Sequence, residues 1–182
     1  MSKKLICLID VQNDFIDGAL RNTDAISVVP NIVSYLEENL NNAYVVATYD
    51  THHENYMETQ EGKNLPVPHC ILNTDGHKMN NSVKEVFNKY PYKKEILKYT
   101  FGASPKDWQN IIDELLTKED FNKEIELLGF CTDICVVSNA LMIKALYPEL
   151  KVSVVENLCA GVTKEKHNAT IEVMKSCQIY IK

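Results

Sequence analysis

The strongest constraint on this chain is an alternation. Short apolar or β-branched runs, at Leu5 to Ile9, Tyr44 to Tyr49, Glu95 to Tyr99, Glu124 to Gly129, Lys151 to Glu156 and Gln178 to Ile181, alternate with stretches of helical spacing. Helices are read over Val29 to Leu40, with Pro30 in a first turn, over Ser82 to Lys89, and from Pro105 through Leu116. Two more run from Asp133 to Tyr147, stopped by Pro148, and from the cap Thr163 to about Ser176. Parallel neighbours need crossover connections, so this order predicts an α/β fold: a three-layer α/β/α arrangement around a six-stranded, mostly parallel, doubly wound sheet. No repeat, low-complexity tract or linker interrupts the 182 residues. With 45% of them hydrophobic there is material for one substantial core, and residues 1–182 are read as a single domain.

Charge and cysteine content narrow the function classes. The net charge of −6 arises from charges scattered along the chain, with Lys93-Lys94 and Glu37-Glu38 as short like-charge pairs. Nothing here is a basic footprint for nucleic acid. The apolar stretch at Leu5 to Ile9 is broken by Asp10, and no run approaches the roughly 18 apolar residues of a membrane span, so no membrane partner is expected. Of the six cysteines, Cys7, Cys131 and Cys159 lie in or beside apolar stretches of a chain that is not small and loop-rich; reduced thiols and a cytoplasmic location are expected.

The chemistry-bearing residues cluster where strands are read to end. Asp10 follows the first strand, Asp50 and His52 the second, Lys98 lies at the end of the third, and Cys131 to Cys135 follow the fourth. In a doubly wound sheet, ligands bind outside the carboxyl ends of the strands, so residues distant in sequence converge there. Cys135 opens a helix, where backbone N–H groups and the helix dipole favour a thiolate; it reads as a nucleophile or, more plainly, as a small buried hydrophobe. Residues 51–80 are polar, contain four of the five histidines, and form a loop long enough to imply a task. In extended chain, Asp50 and His52 project to the same side, His69 is held by Pro66 and Pro68 on the returning segment, and Glu61 lies between. This N/O donor set suits Zn²⁺, Mn²⁺ or Fe²⁺, although solvated loop histidines have the same spacing. Cys70 reads equally as a soft ligand and as packing.

Taken together, Leu-Ile-Asp10-Val-Gln-Asn-Asp-Phe15, the segment from Asp50-Thr-His52 to Pro68-His69-Cys70, Lys98 and Gly129-Phe-Cys-Thr-Asp-Ile-Cys135-Val resemble the isochorismatase-like cysteine hydrolases, and within them the nicotinamidases. The resemblance implies a triad of Asp10, Lys98 and Cys135 that hydrolyses nicotinamide to nicotinate and ammonia through a thioester. It implies an oxyanion hole from the backbone N–H groups of Cys131 and Cys135, with a cis peptide bond before Cys131. It further implies a divalent metal, Zn in first place, on Asp50, His52, His69 and Glu61 in a loop at about 50–80, with Phe15 and Phe101 against the substrate and a homo-oligomeric assembly.

Two departures bear on the substrate. Many nicotinamidases carry Trp just before the Pro-x-His-Cys element, where this chain has Leu65-Pro66-Val67, and the segment after Lys98 is the short Tyr99-Thr-Phe101-Gly-Ala. Another small amide, such as a carbamoyl or ureido compound, is therefore an alternative. An isochorismatase proper would need no cysteine nucleophile. A nonenzymatic receiver-like domain would want paired acids directly after the first strand, yet Val11 follows Asp10. A silent relative kept as a binding partner would have no use for the intact triad.

Overall fold

The computed structural model describes residues 2–182. Its sheet has six strands, β1 (Lys3–Ile9), β2 (Ala43–Asp50), β3 (Lys93–Lys98), β4 (Phe121–Phe130), β5 (Lys151–Ala160) and β6 (Tyr180–Ile181), in the order β3-β2-β1-β4-β5-β6. Every pairing between these six strands is parallel. Leu5 to Ile9 of β1 are wholly buried and β2 is buried along its length, as expected of central strands covered on both faces.

The connections are α1 (Asn13–Ile16), α2 (Thr23–Glu38), α3 (Gln60–Asn64), α4 (Asn81–Phe87), α5 (Pro105–Leu116), α6 (Val137–Leu146) and α7 (Lys164–Ser176). Right-handed crossovers put α2 and α4 on one face and α5, α6 and α7 on the other. The packing of α2 on α4, α5 on α6 and α6 on α7 agrees. The chain first winds outward from β1 through β2 to β3, then returns to place β4 on the other side of β1. The winding reverses between β1 and β4, and a crevice opens there at the carboxyl ends of the strands.

Several sequence boundaries need correction. The helix read from Val29 begins at Thr23, because the Asn22 side chain accepts hydrogen bonds from the Asp24 and Ala25 N–H groups and caps it there. Pro30 consequently lies inside α2 on the exposed side, where the carbonyl it leaves unpaired can turn to water. Strand β5 continues past Glu156 to Ala160, its register against β4 shifting between Leu127 and Gly129. The 51–80 segment is partly ordered: a 3₁₀ turn at Tyr56–Glu58, the helix α3 capped by Thr59, and an isolated pairing of His52 with Ile71 give it internal structure. No helix among the described residues is long and apolar enough to cross a membrane.

Candidate active site

Asp10 ends β1 and Cys135 follows β4, so the reversal of the winding brings them face to face. Their approach requires Gly129: at φ +121° it lies against β1 so closely that a Cβ would sit 2.1 Å from the Ile9 carbonyl oxygen. Asp10 itself has φ +49°. Its carboxylate accepts a hydrogen bond at Oδ1 from the Thr48 hydroxyl, 2.6 Å away, and its Oδ2 lies 2.7 Å from Lys98 Nζ. The ammonium also donates to Asp50 Oδ1 at 2.9 Å and stands 3.6 Å from Cys135 Sγ. Asp10, Lys98 and Cys135 are exposed by only 0%, 2% and 4%, so their charges act on one another with little screening.

These charges revise the expected state of the thiol. Burial first, and the Asp10 carboxylate second, push Cys135 well above the ordinary thiol range, outweighing the opposing pull of Lys98. The resting group is a thiol, and its position in the first helical turn does not make it a thiolate. Burial also raises Asp10, with Lys98 acting against it. Lys98 stays protonated: burial disfavours its charge, but Asp10, Cys135 and Asp50 together raise it well above the usual lysine value. A proton on sulfur therefore sits beside a carboxylate that is strained toward accepting it.

The expected helix from Asp133 begins as a wider π turn, Thr132–Val136, and becomes α-helical only at Val137. The Phe130–Cys131 peptide bond is cis, as the resemblance implied. Buried polar side chains tie this turn to its surroundings. Asn139 Nδ2 donates to the Cys135 carbonyl at 2.8 Å, while its Oδ1 accepts from the Trp108 indole and the Ala103 N–H. On the other side, Thr132 Oγ1 is 2.8 Å from His167 Nδ1, and Asp133 Oδ1 accepts from the Val162 N–H.

Asp50, His52, Glu61 and His69 converge, each offering a ligand atom, with all four atoms within 4.8 Å of one another. His52 Nε2 is 3.0 Å and His69 Nε2 3.4 Å from Asp50 Oδ2, and both face Glu61 Oε1, at 3.5 and 3.8 Å. His69 Nδ1 is 2.8 Å from the Val67 carbonyl; donation of that N–H directs a bare Nε2 at the group. Two carboxylates and two imidazoles, three of the four buried, meet the donor number and type of Zn²⁺, Mn²⁺ or Fe²⁺, and a dication would offset their clustered negative charge. The residues present thus fit the metal. Cys70 is fully buried outside this group, which favours its packing role.

Side chains unremarked in the sequence hold the group in place. Gln12 accepts from the Asp50 N–H and donates to the Asp50 and His77 carbonyls. Asp14 accepts from the Cys70 N–H at 2.7 Å, fixing the residue after His69, and Gly76 packs against the same carboxylate. Tyr56 meets both His52 and His69 edge-on, at 4.7 and 5.1 Å between ring centroids. Gln12 and Asp14 lie inside the Asp10-to-Phe15 motif, which was the only sequence signal for them.

One cavity of about 720 Å³ joins the two groups: Asp50, Glu61 and His69 line it together with Cys131 and Cys135. Phe15 lines it too, buried, its ring edge-on to His69 at 5.7 Å; Phe101 and Leu65 border it from the exposed side. His53 lies outside, stacked on Tyr99.

Comparison with known proteins identifies the family and the fold. The isochorismatase domain family matches residues 4–181. An uncharacterized isochorismatase family protein of Bacillus subtilis, PncA, is 29% identical over 171 residues, spanning 92% of this chain and 91% of its own. The crystal structure of nicotinamidase/pyrazinamidase PncA from Bacillus subtilis superposes with a TM-score of 0.84 at 25% identity, over 98% of each chain. That of the pyrazinamidase of Pyrococcus horikoshii in complex with zinc gives 0.80 at 24% identity, over 99% of this chain and 98% of the other. The receiver-like alternative is thereby removed, and the chain belongs to the isochorismatase domain family as a hydrolase.

Proposed function

We propose that this protein is a metal-assisted cysteine amidohydrolase that converts nicotinamide to nicotinate and ammonia. The observation that carries the reading is the ion pair of Lys98 with Asp10, 2.7 Å long and 3.6 Å from Cys135 Sγ, in the same cavity as the Asp50–His52–Glu61–His69 group. Names of similar proteins, nicotinamidase and pyrazinamidase, support the substrate.

Asp10 takes the thiol proton as Cys135 Sγ attacks the carboxamide carbon, so that nucleophile and base form as a pair at the moment of attack. Backbone N–H groups of Cys131 and Cys135 donate to the oxygen as it becomes negative. The tetrahedral intermediate collapses, Asp10 protonates the departing nitrogen, and ammonia leaves a thioester on Cys135. Asp10 next takes a proton from water attacking that thioester; the C–S bond breaks, the proton returns to sulfur, and the acid is released. Lys98 keeps Asp10 ionised between proton transfers. Phe15 and Phe101 flank the ring and orient the carboxamide toward sulfur.

Asp50, His52, Glu61 and His69 would hold the divalent ion, which when bound supplies a Lewis-acid anchor for the ring nitrogen. The cavity is ample for one small ring, and Leu65 and Phe101 border it. That favours, as a second reading, hydrolysis of another small amide such as a carbamoyl or ureido compound. We read the chain as one domain of a cytoplasmic homo-oligomer with reduced thiols, in keeping with its six free cysteines.

The test is ammonia release from metal-replete protein given nicotinamide, beside Cys135→Ala and metal-stripped samples. Release lost in both controls is expected. Release that persists in Cys135→Ala overturns the nucleophile, and none from metal-replete wild type transfers the reading to other small amides.

A further inference from the structure

Amide hydrolysis leaves part of the cavity without a role. Its inner wall is built from buried residues, among them Phe15, Asp50, His69, Cys131 and Cys135, whereas Arg21 and Lys166 are exposed and line its rim. Arg21 is the only arginine in the chain. In a protein of net charge −6, carboxylates are plentiful, and many lysines pair with one. Neither Arg21 nor Lys166 has a carboxylate within ion-pair distance among the described residues. The segments carrying them are fastened together, since Asn22 Nδ2 donates to the Gly161 carbonyl at 2.8 Å and Val162, next in chain, also lines the cavity.

Two cations without partners therefore stand on adjoining parts of one rim, opposite in charge to the Asp50 and Glu61 carboxylates at the inner end. We propose that the amide this site accepts best carries a carboxylate at the end away from the scissile carboxamide, held by Arg21 and Lys166. This rests on the amidohydrolase reading above and specifies its substrate class. The planar guanidinium matches a carboxylate in two-point contact, and Lys166 adds a point charge. Cations on the wall of a cleft also raise the local concentration of an anion beyond what a net-acidic protein would attract. The rim cations orient the substrate: they attract its anionic end, and the neutral carboxamide is left pointing at Cys135. Nicotinamide, which is neutral, uses only the inner part of the cavity.

The experiment compares kcat/KM for nicotinamide with that for nicotinamide bearing a ring carboxylate meta to the carboxamide, in metal-loaded wild type, Arg21→Ala, and Arg21→Ala/Lys166→Ala. Expected are a wild-type preference for the carboxylate-bearing amide and a fall in the ratio, charged over neutral, of about fivefold in the single variant and about tenfold or more in the double. Arg21→Lys, which keeps the charge and loses the fork, should lie between wild type and Arg21→Ala. A ratio that does not move with either cation overturns the proposal while nicotinamide turnover upholds the amidohydrolase reading. Hydrolysis of the carboxylate-bearing amide alone upholds the proposal against nicotinamide as substrate, and hydrolysis of neither overturns the proposal and excludes nicotinamide as substrate.

Discussion

The two halves of the site are built by different means. Asp10 and Lys98 stand at the ends of β1 and β3, on backbone held by the sheet ladder, Cys135 stands in the turn that follows β4, and their charges are answered by one another within the core. His52, Glu61 and His69 stand on the 51–80 segment, whose position depends on side chains reaching across from Gln12 and Asp14 and on the cap at Thr59. Reacting atoms gain from the rigid half, where small displacements cost rate. The second half brings together groups whose mutual repulsion is relieved when an ion or ligand binds, and it suits a role in binding.

If this difference is real, damage to the first half should reach the whole fold and damage to the second should stay local. Lys98→Met leaves Asp10 buried without its cation, and Asp10 and Asp50 without the charge between them. It should destabilise the protein by about 3–5 kcal/mol in denaturant unfolding, besides abolishing turnover. A variant as stable as wild type would break the comparison. Asp14→Ala removes the acceptor of the Cys70 and Ala19 N–H groups. Its expected cost is ~1–2 kcal/mol, spent mainly in the loop, with metal retention weakened on the order of tenfold in a competitive chelator titration and the global unfolding midpoint nearly kept. A large fall in that midpoint with metal affinity unchanged would show that the loop is part of the cooperative core.

The smallest effect concerns the support of the nucleophile turn. Burial, and then Lys164, lower His167 below the usual histidine value, although Glu156 and Asp133 act the other way. Below about pH 6.5 the unfolded chain gains a proton that the folded protein resists, so stability present above that pH is lost as pH falls toward the folded value. His167→Asn retains a side-chain amide near Thr132 but cannot titrate. It should flatten the pH dependence of thermal stability below about pH 6.5, by less than ~1 kcal/mol. An unchanged slope would assign the dependence to other groups.

What could be read from sequence follows the same division. Strand ends are legible because apolar runs stop abruptly, so the sequence alone puts Asp10, Asp50, Lys98 and Cys135 on one edge. Asp50 and His52 were paired by the two-residue period of extended chain. Supporting residues were not legible because their partners lie far away in sequence: Gln12 bonds the main chain of residues 50 and 77, Asp14 that of residue 70, and Thr132 the ring of His167. A polar side chain in a sequence carries no mark of such a partner. The balance of charges on Cys135 was not legible for a related reason. Position in a helical turn is local information, whereas burial and the Asp10 carboxylate, which decide the thiol's state, are products of tertiary structure.

The mechanism turns on acylation of Cys135 by its amide. The direct measurement is mass spectrometry of metal-loaded enzyme quenched in acid during turnover of nicotinamide, with peptide mapping. Expected is a nicotinoyl group on the peptide containing Cys135, absent without substrate and absent in Cys135→Ala. Ammonia release that continues in Cys135→Ala, or an acyl group found on a different residue, would contradict it.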